Sequence, residues 1–414
     1  VALPQFADND KPTWRGDING AMNTIDTELA NRYIKSQIDA LFAAKEAEIR
    51  EHGVSVSAYS AATNGTTDTL TSFQDALNEN TDVLVPPGQY ALSDTLTIPA
   101  GKRLTLAAGA SLVRPAAMTS TDPLVWLAES SSVLRGASMA ASVVSCANPT
   151  PLGLVVVGNK GTTDAVGRQA SYGTIENIRL MGHAPGGESA GNPSIALQLC
   201  NMQIAGTASY FNTLRNIYLG NVNTGLDLVG NANANVITNI QLNGVGNGGL
   251  LDGAGIAMRN SGNLVPIENQ ISGVMHTQSA DATGLLIEGS PTAVATYNII
   301  NGLVCEPGGT GGHSIKNTDD TTAGNIIILT DNTYLGMSLT PNFLKQNTVI
   351  AGSNSWLPQL ATTHLKADTI EYTGTATATA VAAGTATALP AAPEGYMQVL
   401  IYGQPALIPY YPHV

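Results

Sequence analysis

The chain is short of charge, of aromatic rings and of cysteine, and each shortage argues against a class of protein. Charged residues make up 12% of the 414 residues and aromatic residues 5%. Helix-rich α/β enzymes carry more Lys and Glu on their surfaces, so a compact fold of that kind is disfavoured. Only 18 Lys and Arg residues are present, scattered along the sequence and outweighed by 31 Asp and Glu, for a formal net charge of −13. Nucleic acid is held through a basic face, so it is not an expected partner. No apolar run approaches the ~18 residues that a membrane span requires, so no membrane insertion is expected. Residues 1–14 are interrupted by prolines and charges and show no secretory h-region. Cys146, Cys200 and Cys305 lie far apart, are odd in number and match no ligand spacing. They read as buried or half-buried free thiols, with neither a metal nor a cofactor expected.

What is abundant instead is Gly, at 43 residues, together with Asn, Thr, Ala, Val and Ile, a composition suited to strands and tight turns. Three segments can be told apart: 1–52, 53–355 and 356–414. In the first, Asp17 is an N-cap and Gly53 a stop, predicting a helix over 17–52. Ile18, Met22, Ile25 and Leu29 are spaced 4-3-4, and Ile34, Ile38 and Leu41 resume the spacing after a shift. Such a narrow seam suits a self-associating coiled-coil stalk, the alternative being a helix laid on its own domain. The third segment predicts two strands, Tyr396 to Tyr402 and Ala406 to Tyr411, turning at Gly403-Gln404-Pro405.

The middle segment repeats. Alternating apolar strands begin at residues 196, 225, 255, 284 and 312, which is 29, 30, 29 and 28 residues apart, and end at Asn201, Gly230, Asn260, Gly289 and Asn317. A constant period in this range marks a solenoid. Between them falls a second pattern, in which an apolar residue stands two before an Asn or Gly and another directly after it. The central positions are Asn177, Asn216, Asn239, Gly273 and Asn301. A single left-handed residue at that point bends the chain and keeps both apolar neighbours inside, and Asn and Gly are the residues that tolerate such a bend. Both columns therefore read as left-handed positions, with Asn stacked on Asn between coils. The fold expected is mainly β, a right-handed parallel β-helix with three short strands per coil, an N-terminal helical stalk and a small C-terminal β module, 356–414, for trimerisation or receptor binding. Leu226, Leu228, Ile237, Ile240 and Leu242 face one interior. Arg259, Glu288 and Lys316 form an exterior charge ladder, and His313 replaces Leu or Ile in an inward column.

The first coil carries a more specific signature. Asn64-Gly65 and Asp68-Thr69 precede Ser72-Phe73-Gln74-Asp75-Ala76-Leu77, followed by Val83-Leu-Val-Pro-Pro-Gly88 with Tyr90, Leu96-Thr-Ile-Pro99 and Leu104-Thr-Leu106. This resembles the pectate-lyase-like β-helix domain of bacteriophage tailspikes, where a short helix closes the first coil. Pro4-Gln-Phe6 with Lys11-Pro-Thr-Trp-Arg-Gly-Asp-Ile-Asn19 is similar to the start of phage minor tail and fibre proteins. The ending Gly395-Tyr396, Gly403 and Ile408-Pro-Tyr-Tyr411 resembles a tail-fibre terminus. The resemblance implies a parallel homotrimer in the virion tail, joined to tail or baseplate proteins through its N-terminus. It also implies host surface glycan as ligand and, in many members, depolymerase activity.

A glycosidase of this kind needs a carboxylate pair. The loop acids Asp252, Asp281 and Glu306 are the candidates, with Asp227 pointing outward on a strand and Glu268 on the opposite loop. None is adjacent to another in sequence, and only Asp281 and Glu306 fall loosely in one column. Saccharides are held on aromatic faces. Between 130 and 340 the only such residues are Tyr172, Tyr210, Phe211, Tyr218, Tyr297 and Tyr334. The loops are short. These features favour a binding or structural fibre over a depolymerase.

Overall fold

The computed structural model describes helical residues 20–32, 34–37 and 39–40, most of 53–351, and the strand residues 371–372, 395–401 and 404–410. Within 53–351 the described residues exclude 149, 151, 161–167, 183–193, 202–206, 246–252, 262, 279–282, 289–295, 307–312, 319–323, 330–335 and 339–345. The chain divides into two compact units, Val1–Pro358 and Gln359–Val414.

The larger unit is a right-handed parallel β-helix, the hand that crossovers between parallel strands adopt. One coil shows the plan. Thr224–Val229 belongs to a nine-stranded sheet, Ala232–Asn233 to a small three-stranded one, and Val236–Val245 to a fifteen-stranded one. The two longer strands pair in parallel with their copies in the next coil, as Leu226 with Ile256 and Ile237 with Ile271, and Ala232–Asn233 pairs in parallel with the coil before. Alternation then sends one set of side chains inward. Leu226, Leu228, Ile237, Ile240 and Leu242 are all buried in a single hydrophobic cluster that runs from Val56 to Ile327.

Asn177, Asn216 and Asn239 take φ of 56°, 54° and 53°, as the broken alternation predicts, and Gly273 continues the column at 64°. The amides stack: Asn216 Nδ2 donates to Asn177 Oδ1 at 2.8 Å, and Asn239 Nδ2 to Asn216 Oδ1 at 2.9 Å. In the next coil the bend is Gly302, at φ 74°, and not Asn301, because Ile271 pairs with Ile300. The other expected column fails as a bend. Gly230 has φ 56°, but Asn260 and Asn317 do not have positive φ. The last repeat is also displaced by two residues from its sequence alignment, since Thr283 pairs with His313, Leu285 with Ile315 and Ile287 with Asn317. His313 therefore follows Thr283 and does not replace a core aliphatic. Lys316 stands beside Leu286, outside any ladder with Glu288. A two-residue slip leaves every side chain on its proper face, so hydrophobic alternation could not detect it.

The helix Leu70–Glu79 closes the open end of the stack, as the first-coil signature implies. It buries Phe73, Ala76 and Leu77, and the Phe73 ring meets Tyr90 edge-on at 5.4 Å. Gln74 exchanges two 3.2 Å hydrogen bonds with the backbone of Thr97, in the terminal strand Leu96–Ile98. That occupies polar groups which a bare edge would offer to another chain.

On the N-terminal helix, Ile25, Leu29 and Ile34 are exposed, so this part of the seam has no partner among the described residues. In the smaller unit Gly395–Ile401 and Gln404–Tyr410 form the expected antiparallel hairpin, with Glu371–Tyr372 parallel beside it. Cys146 and Cys305 are buried free thiols, as read from sequence, while the Cys200 side chain lies outside the described residues.

Candidate functional site

A second left-handed bend occurs in each coil, just before the long strand of the fifteen-stranded sheet. Its residues are Ser131, Tyr172, Phe211, Ala234, Glu268 and Tyr297, with φ between 53° and 62°, and Gly324 at 69°. The residue after each bend points inward. From the third of these coils onward it is always Asn: Asn212, Asn235, Asn269, Asn298 and Asn325, with Asn347 above. All are buried. Asn212 Oδ1 accepts the Gly173 backbone N–H at 2.8 Å, and from Asn235 onward each side-chain oxygen accepts two bonds from the Asn one coil below. Asn269 Oδ1 takes the Asn235 backbone N–H at 3.1 Å and its Nδ2 at 2.9 Å. This interior ladder meets the hydrogen-bonding needs of a tight buried turn, and it fixes the direction of the neighbouring bend residue.

What the bend turns outward is unusual. Tyr172, Phe211 and Tyr297 are 65%, 53% and 66% exposed. A left-handed conformation costs a non-glycine residue about 1–2 kcal/mol, and bulky residues seldom adopt it. Tyr172 and Phe211 stack with centroids 5.4 Å apart and planes 15° off parallel. The next two bend residues are small or acidic, Ala234 and Glu268, and Tyr297 follows. The result is a recess of about 440 Å³ walled by Phe211 and Tyr297. Ala234, Val236, Glu268, Gln270 and Ile299 complete its lining. Val236, Gln270 and Ile299 lie side by side on consecutive strands. At 3.2 Å the Tyr297 ring would meet any Cβ added at Gly324, so glycine there leaves room for the ring. Apolar ring faces beside a carboxylate and an amide are the groups that a sugar, with one apolar face and a rim of hydroxyls, can use.

Of the acids picked from sequence, Asp252 and Asp281 lie outside the described residues. Glu306 ends the strand Ile299–Glu306, and its side chain lies outside them. Glu268 lines the recess. Asp227 is on the outer face of its strand, as expected, yet it is buried. It accepts a 2.9 Å bond from Gln198 Nε2, and its Oδ1 lies 3.1 Å from Arg259 Nε. Burial pushes its carboxyl above the ordinary range, against the pull of Arg259 and Gln198. Arg259 thus serves Asp227 across one strand step. A third acid, Glu176, is buried between Arg135 and Arg215, one coil to either side, and bonds both. Burial alone would raise its carboxyl, but the two guanidinium groups outweigh that and hold it below the usual range. Among the described residues no three His, Cys, Asp or Glu side chains gather as a metal site.

The aromatics looked sparse in sequence, yet three of the six share one column. The signal was present as a recurring Asn-x-aliphatic triplet, for example Asn235-Val-Ile237, Asn269-Gln-Ile271 and Asn298-Ile-Ile300, with the outward residue always directly before it.

No protein-family model matches the chain, and no curated protein does. Solved structures do. The N-terminal fragment of bacteriophage phi29 gene product 12 matches at 14% identity and TM-score 0.38, over 78% of this chain and 67% of that one. PfbA, a surface adhesin of Streptococcus pneumoniae, matches at 12% and 0.34, over 73% and 91%. The A-module of the Azotobacter vinelandii mannuronan C-5 epimerase AlgE4 matches at 15% and 0.39, over 75% and 99%. No residue's role transfers at such identities, so function is argued from the recess itself.

Proposed function

We propose that this chain is a phage tail spike or fibre protein that binds host cell-surface glycan through the recess between Phe211 and Tyr297. In this reading residues 1–52 join it to the tail or baseplate, and three chains associate through the seam of the N-terminal helix. The observation that carries it is the aromatic bend column. Rings held in a costly conformation and turned into water are not required by the fold, which accepts Ala and Gly at the same bend. The order of tailspike-like motifs along the sequence supports the virion assignment.

A depolymerase is the competing reading. Asp227 is the described acid whose carboxyl is raised, as a general acid requires, but it is closed off from solvent and tied to Arg259. Glu268 is on a different face, so the two do not form a pair across one bond. Binding without cleavage is therefore favoured. Incubating the purified protein with host surface glycan tests it, reading both retention and new reducing ends. Retention with no reducing ends is the expected result. Release of oligosaccharide would establish the depolymerase, and absence of retention would remove the adhesin.

A further inference from the structure

The recess carries enough chemistry to name the class of glycan it takes, an inference that rests on the glycan-binding reading above. Its lining includes the Glu268 carboxyl group and the Tyr297 phenol, and among the described residues no Lys or Arg lines it. The chain as a whole carries a formal charge of −13. A polysaccharide built on uronic acids, sialic acids or phosphates would bring its anions against Glu268 with no cation to meet them, and like charges brought together in a site are costly. An uncharged sugar has no such conflict. Its hydroxyls donate to the Glu268 carboxylate and to the Gln270 carbonyl, and its apolar ring faces lie on Phe211 and Tyr297.

The geometry adds length and direction. Phe211 and Tyr297 are three coil steps apart, by way of Ala234 and Glu268. At ~4.8 Å per step that is ~14 Å along the helix axis. One ring cannot stack on both walls at once, so a segment of several sugars is required. Val236 and Ile299, exposed on the floor, continue the apolar surface between the walls. We infer that the recess binds an uncharged oligosaccharide segment lying along the helix axis, with a ring stacked at each end and Glu268 accepting hydroxyl bonds between them.

The test is a glycan array carrying uncharged oligosaccharides beside uronic-acid- and sialic-acid-bearing ones, probed with the full chain and four variants. Phe211→Ala and Tyr297→Ala are sound probes because Ala234 already occupies the same left-handed bend, so the fold accepts alanine there. Each should lose about tenfold in affinity for the uncharged ligands. Ser131→Ala, in the same column but two coil steps from Phe211 and outside the recess, should bind as the parent does. Glu268→Gln should weaken uncharged ligands and strengthen acidic ones, and raised salt should leave uncharged binding unchanged. Retention of acidic glycans alone would overturn this inference and leave the glycan-binding reading in place. Uncharged binding that ignores Phe211 and Tyr297 would overturn the site. Binding of neither class would overturn both.

Discussion

Replacing Asn269 with Ala should be among the most damaging single changes in the β-helix, although no chemistry is assigned to it. The side chain is fully buried and makes four hydrogen bonds. Its Nδ2 donates to the Ala232 carbonyl at 2.7 Å and to Asn298 Oδ1 at 3.0 Å. Its Oδ1 accepts from the Asn235 backbone N–H at 3.1 Å and from Asn235 Nδ2 at 2.9 Å. At ~1 kcal/mol net for each bond the loss is about 4 kcal/mol, and the stranded donors of Asn235 hold it near that figure even if water enters. The control is Asn239→Gly in the other ladder. That amide is exposed, makes one 2.9 Å bond to Asn216, and sits at φ 53°, where glycine is at ease. Its loss should stay within about 1 kcal/mol.

A solenoid can open coil by coil, so one global melting curve does not isolate the effect. Native-state hydrogen exchange of peptides within 236–245 reads it locally. The Asn269→Ala variant should exchange about 10³-fold faster there than the parent, and Asn239→Gly within about tenfold. Equal effects, or a larger one at Asn239, would refute the view that the interior asparagines, and not the exposed ones, hold the bends.

Glu176→Gln should cost about 1–2 kcal/mol at neutral pH, a modest figure because Arg135 and Arg215 are half in solvent. The Glu176 carboxyl is depressed on folding, so its contribution is complete above the ordinary glutamate range and fades as pH falls through the folded value. The gap between parent and variant in urea melts should close in acid, and a gap that widened would reverse the assignment. Burial pushes the Cys305 thiol up to about 12 and raises that of Cys146, so neither should carry an alkylating label in the folded protein at neutral pH. Mass mapping that finds adducts on either would contradict their burial. Sedimentation equilibrium of the full chain should give three times the chain mass, and Ile25→Asp with Leu29→Asp should lower it. A monomer mass for the parent would remove the proposed trimer.

The coil period, the inward aliphatics and the Asn177, Asn216 and Asn239 bends were legible because a parallel solenoid writes each of them into sequence as a spacing. Three features were not. The register of the last repeat is blind to alternation, since Thr283 against His313 and Leu285 against His313 put the same faces inward. The recess escaped because its walls share one column of the solenoid but lie 86 residues apart in sequence, from Phe211 to Tyr297. Each wall, read alone, is an isolated aromatic residue before an asparagine. Asp227 pointed outward as its alternation says, yet outward on that sheet does not mean solvent. Gln198, Ala257 and Leu286 in the same column are buried with it.

The two asparagine columns show how structure and function divide between neighbouring residues. At the exposed bends the asparagine is itself the turning residue, and nothing projects beyond its amide. At the second bend the asparagine has moved one place inward, where backbone and amide bonds from the coil below secure it. The left-handed residue before it pairs with the next coil through its backbone N–H alone and lends no side chain to the ladder. Its side chain is free to vary, and it ranges over Ser, Tyr, Phe, Ala, Glu and Gly along the stack. Variation of that breadth on a fixed backbone is what a binding surface needs and a core cannot tolerate. The ladder is costly to disturb because it is inside, and the recess can change its ligand because it is one residue outside.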